Sequence, residues 1–101
     1  DYKIECYVPS AKRQYGYFCL PLLFRDDFIG RMDCKAHRKT NHLEIKLLHF
    51  EQHNFDDDLV ISAFAAAITH FCHFQKCESM SLNKVYPKNI TQPLRNALGL
   101  N

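Results

Sequence analysis

The chain has 101 residues, 47% hydrophobic and 13% aromatic, with a formal net charge of +2. Its length and apolar content fit one packed domain and exclude a disordered segment or a second core. No apolar run reaches the roughly 18 residues that a membrane helix needs, and so small a charge does not by itself argue for a polyanionic partner.

The first fourteen residues form a polar leading arm, with a short strand expected around Ile4–Val8. A strand rich in aromatic and aliphatic residues follows over Tyr15–Phe24. Pro21 cannot donate to a ladder, so this strand should be an edge or bulged there. Arg25, Asp26 and Asp27 make a polar turn, Phe28–His37 a second strand, residues 38–41 a second turn, and His42–Phe50 a third strand. In the third strand Leu43, Ile45 and Leu47 alternate with Glu44 and Lys46, a period of two. Asp56, Asp57 and Asp58 then offer an N-cap and favourable charge for a helix from Leu59 to about Phe74. That helix is apolar nearly all round and should be well covered. Ser79–Val85 reads as a further strand. Thr91 as N-cap, Pro93 early and Gly99 as a stop define a short helix over Gln92–Leu98.

The resulting expectation is an α+β domain. Its antiparallel, barrel-like curved sheet of about four to five strands (an order-of-elements inference) packs against one long apolar helix, with a short C-terminal helix added. In the second strand, alternation puts Phe28, Gly30, Met32, Cys34 and Ala36 on a core face. It puts Ile29, Arg31, Asp33, Lys35 and His37 on a charged face. Arg38 and Lys39 follow in the turn.

This basic hairpin is the leading candidate for nucleic-acid contact, because Lys, His, Arg and Lys in one tip can reach phosphates and a narrow ribbon can enter a groove. The plainer reading is a solvated strand face with Asp33 paired to Arg31 or Lys35. Lys12 and Arg13 lead into Tyr15 and Tyr17, and basic residues interleaved with aromatics suit backbone tracking and base stacking. Half-buried strand tyrosines are the plainer alternative there.

His70, Cys72, His73 and Cys77 lie near the end of the long helix, with His73 and Cys77 four apart, but no CxxC or HxxxH pair occurs among them; His49 and His53, also four apart, span a strand end and a loop, and no metal site is expected. The five cysteines are odd in number and irregularly spaced. This argues against a disulfide framework and for a reducing, cytoplasmic setting. Cys19 and Cys34 should pack as small hydrophobes. With three glycines there is no phosphate-cradling loop, and no Ser or Cys nucleophile sits beside a base. The chain does not open on Met and shows no leader, which fits a piece of a longer protein.

Residues 7 to 51 also carry a family resemblance. KRQYGYFCLPLLFRDDFIGRMDCKAHRK followed by LEIKLLHFE resembles the C-terminal domain of the YcaQ-type winged-helix proteins, bacterial DNA glycosylases related to AlkZ. The matching features are an aromatic strand containing Leu20-Pro21, a polar turn, and Gly30-Arg31-x-Asp33-x-Lys35-Ala36-His37-Arg38-Lys39. The resemblance implies that residues 1–101 are a single domain, the C-terminal part of a longer winged-helix DNA-binding protein that repairs alkylated or crosslinked DNA. The family's catalytic triplet, Gln-apolar-Asp or Gln-apolar-Gln, is absent from this sequence, so no catalytic residue is assigned. By the same resemblance Arg31, Lys35, His37, Arg38 and Lys39 face double-stranded DNA, and Lys12, Arg13 and Tyr15 join them as candidates. The implied partners are duplex DNA and the winged-helix domains of the same chain, with no membrane, metal or small-molecule cofactor. The alternative is a domain that braces winged-helix units without touching nucleic acid.

Overall fold

The computed structural model describes residues 4–6, 16–24, 27–51 and 58–100. Strands β1 (Ile4–Cys6), β2 (Tyr17–Phe24), β3 (Asp27–His37) and β4 (His42–Phe50) are followed by helix α1 (Asp58–Phe74). Strand β5 (Ser79–Tyr86), one 3-10 turn (Lys88–Ile90) and helix α2 (Thr91–Leu98) complete the chain. Four long strands and the three-residue β1 form one sheet in the order β1-β2-β3-β4-β5.

The sheet is mixed and open, which corrects the expectation of an antiparallel, barrel-like one. Strands β1 to β4 pair antiparallel in succession, but β5 lies parallel to β4, with His42 opposite Ser79 and His49 opposite Tyr86. The cause is α1. A parallel neighbour needs a crossover connection long enough to carry the chain back beside the strand it left. Seventeen helical residues cover about 25 Å at ~1.5 Å per residue, enough to return the chain to the start of β4. Strands β1 and β5 stand at opposite edges, and no pairing between them closes the sheet among the described residues.

Two bulges set which side chains face the core. The β2–β3 register steps between Leu22 and Leu23, so that Leu22 faces Gly30 while Leu23 faces Phe28 and Ile29 is the extra residue. Ile29 is therefore buried and Phe28 exposed, the reverse of the simple alternation. On β4, Asp33 faces Leu47 but Cys34 faces Ile45, which makes Lys46 the extra residue. Beyond it the inward positions are Leu48 and Phe50 rather than Leu47. An extra residue in one strand inverts the phase of everything after it. Pro21 sits where its missing N–H does no harm. The β1 pairing starts at Leu22, one residue further along.

The core lies between the inner sheet face and the helices. Ile61, Phe64, Ala65, Ile68, Phe71 and Cys72 form the buried stripe of α1. Phe64 stacks on Phe50 with ring centroids 4.0 Å apart, and Phe71 meets Phe18 edge-on at 5.4 Å. Coverage of α1 is one-sided despite its apolar sequence: Leu59, Ala66, His70, His73 and Phe74 are exposed. Both helices end in Schellman turns. At α1, Lys76 has φ 60, with Cys77 N–H on the Cys72 carbonyl and Lys76 N–H on that of His73. At α2, Gly99 has φ 76, as its place in the sequence suggested. The start of α2 differs from expectation: Ile90 is the cap and no side chain caps it. Pro93 falls in the first turn, where an N–H would lack a helical partner anyway. Asp56 and Asp57, proposed as caps for α1, lie outside the described residues, as do Arg25 and Asp26 of the first turn.

Candidate nucleic-acid interface

The face of the sheet opposite the helices is polar. In strand order its rows run Tyr17–Lys35–Glu44–Ser81, then Cys19–Asp33–Leu47–Lys84, then Pro21–Arg31–His49–Tyr86. Arg31, Lys35, His37 and the exposed Lys39 all belong to this face or its end. Lys12, Arg13 and Tyr15 lie outside the described residues. Cys19 is exposed on this face and not a core filler, whereas Cys34, Cys72 and Cys77 are buried.

Each predicted cation has a distinct environment. Lys35 Nζ donates to Tyr17 Oη at 3.5 Å and lies 4.6 Å from the centre of that ring. Lys46, not singled out from sequence, reaches the same ring at 5.4 Å. Arg31 stands 3.9 Å from Asp33 with about half its side chain open, a pairing of little energetic weight at a surface. His37 Nε2 donates to Glu44 Oε1 at 2.9 Å. Asn83 Nδ2 donates to the other carboxylate oxygen at 3.1 Å.

Arg38 is turned away from this face. Its guanidinium donates to the Gln75 carbonyl oxygen at 2.5 Å and to Gln75 Oε1 at 2.8 Å. Gln75 follows directly on α1, its N–H still bonded to the Phe71 carbonyl, and is 7% exposed. Beside this clamp, Glu78 N–H donates to the Asn41 carbonyl at 2.7 Å. His42 bridges Ser79 Oγ at 2.7 Å and Ser81 Oγ at 3.0 Å. The hairpin tip is therefore docked against the end of α1 and is not a free ribbon that could enter a groove. What it leaves open is a hollow of about 490 Å³ lined by Gly16, Lys35, Ala36, His37, Arg38, Lys39 and Thr40. Gly16 permits the close approach there. It has φ +79, and a Cβ would come within 2.8 Å of the Ala36 carbonyl oxygen.

The His37 hydrogen bond holds the Glu44 carboxyl below its ordinary value. Partial desolvation opposes it, and Asn83 and Lys46 reinforce it. A carboxyl depressed in the folded state contributes stability above its unfolded value and loses it as pH falls through the folded value. Glu44→Gln should therefore melt below the parent near neutral pH, and the gap should close in acid, once the carboxyl is protonated in the folded state as well. Thermal midpoints near neutral pH and in acid check this; an unchanged gap would contradict the assignment.

Among the described residues no three His, Cys, Asp or Glu side chains converge as metal ligands. Near the end of α1, Cys72 Sγ instead reaches the Cys77 carbonyl at 3.6 Å, and burial pushes both thiols up. No described helix is long and apolar enough to cross a membrane.

The described residues thus form an open mixed sheet with a helical layer on one side and a polar face bearing lysines and tyrosines on the other. The family model of the AlkZ-like DNA glycosylases matches residues 1–74, from before β1 to the end of α1. The chain belongs to the AlkZ-like DNA glycosylase family, which makes it a DNA-repair-related domain with DNA as the family's partner. No solved structure matches it.

Proposed function

We propose that this domain holds double-stranded DNA for a glycosylase acting on alkylated or crosslinked bases, through its outer sheet face and the hollow at the hairpin tip. The carrying observation is that Lys35 and Lys46 converge on the exposed Tyr17 ring, which gathers two cations at one place on this face. Arg31 and Lys84 on the same face and Lys39 at the tip extend the cationic surface. Cations so placed fix a duplex by its phosphates and carry no sequence information. Arg38 contributes by holding the tip in place, a positioning role.

Lys35→Ala/Lys39→Ala tests this. The logarithm of duplex affinity against the logarithm of salt should flatten by about two, roughly one unit per lost phosphate contact. An unchanged slope and affinity would overturn the proposal. It would favour the second reading, a bracing domain that packs on winged-helix units. The observation behind that reading is that three pairs of polar side chains on or beside the face already engage one another: Arg31 with Asp33, His37 with Glu44, and His49 with Glu51.

A further inference from the structure

The outer face carries aromatic rings for which phosphate contact has no use. Tyr17 and Tyr86 are 44% and 52% exposed. Each ring is attended by other side chains: Lys35 and Lys46 lie over Tyr17, and His49 stacks on Tyr86 with centroids 5.0 Å apart and planes at 27°. The register puts the two tyrosines at opposite corners of the face, Tyr17 on β2 and Tyr86 on β5. With strands ~4.8 Å apart and ~3.3 Å per residue, the corners are about 20 Å apart.

We infer that this face is a stacking platform for an unpaired DNA strand, an inference that rests on the DNA-binding reading above and names a second form of the same partner. A duplex keeps its base faces stacked inside itself. Only an unpaired strand offers them to a flat sheet of tyrosines. One base lies on Tyr17 and another on Tyr86. Lys35, Lys46, Arg31 and Lys84 meet the phosphates of the strand that joins them. The lysines now over Tyr17 are long and flexible, and they turn to the flanking phosphates when a base takes their place. The placement suits a repair domain, since a strand opened beside a lesion would be held close to the duplex it came from.

The test uses the whole chain, fluorescence anisotropy, and two probes of about 12 nucleotides, within the site sizes of small sheet-based binders: oligothymidylate and a mixed-sequence duplex. Tyr17→Ala/Tyr86→Ala should weaken oligothymidylate binding about 30-fold or more and duplex binding by a clearly smaller factor, under about fivefold. Tyr17→Phe/Tyr86→Phe keeps the rings and should stay within about twofold on both probes. Both sites are exposed, and the Phe pair guards against a folding defect. An alanine pair that changes oligothymidylate binding by less than about twofold, or weakens both probes equally, overturns the inference. Duplex binding without oligothymidylate binding overturns it too and leaves the proposed function standing. If the chain binds neither probe, both readings fall.

Discussion

Arg38→Ala is expected to lower the unfolding free energy by about 2 kcal/mol, the scale of hydrogen bonds from a charged donor. The substitution removes two bonds at once, to the Gln75 carbonyl and to Gln75 Oε1. Gln75 is buried, so both acceptors are left short of a partner, and water reaches them poorly. The cation also sits at the negative end of α1, which adds a few tenths of a kcal/mol or more. The partly open guanidinium discounts the total, which is why we place it near the middle of the range. Arg38→Lys should recover little, because an ammonium cannot present a planar fork to two oxygens at once. Urea unfolding of the three proteins checks this. The distinctive outcome is that the salt slope of duplex binding, measured on folded protein, hardly moves. A flattening by about one unit with unchanged stability would instead make Arg38 a phosphate ligand.

Gly30→Ala is expected to cost about 3 kcal/mol, at the upper end of the usual overpacking penalty. Gly30 stands in mid-sheet, opposite Leu22 on one side and Phe50 on the other. A Cβ there would run into the His49 carbonyl oxygen and lie 3.0 Å from Phe50 Cδ1 and 3.1 Å from Phe50 Cα. Two of these are backbone atoms within a ladder, which cannot step aside without parting β3 from β4. The same shift would move His49 and the Tyr86 ring stacked on it. Denaturant midpoints measure the loss. A change under about 0.5 kcal/mol, typical of open surface sites, would contradict this packing.

How far the sequence foretold this molecule depended on the range of the interactions involved. His42–Phe50 was legible to the residue, because its flanking turn and branched side chains are local signals. The bulges were not. Nothing in Ile45, Lys46 and Leu47 announces an extra residue, yet that one residue sends Leu48 inward and Leu47 outward. The parallel placement of β5 was legible in principle, since a helix between two strands is the signature of a crossover. The barrel-like expectation set that signal aside. Among the site residues, alternation correctly grouped Arg31, Asp33, Lys35 and His37 on one face. It could not foresee that Arg38 would be engaged by Gln75, thirty-seven positions along the chain. Lys46, Lys84 and Tyr86 were missed as partners of that face because only the folded register brings β4 and β5 beside Tyr17 and Lys35. Each could have been found by asking which polar residues fall opposite the charged strand once a third and fourth strand are added.

Amide chemical-shift changes of the chain on adding a short duplex decide whether DNA lies on the outer sheet face and in the hairpin-tip hollow, as proposed. Changes concentrated at Tyr17, Arg31, Lys35, Lys39, Lys46 and Lys84 are expected, with the exposed side of α1 at Ser62, Ala66 and His70 unmoved. Changes confined to α1 and α2, or none with duplex at about 1 mM, above the usual range of non-specific dissociation constants, would contradict it.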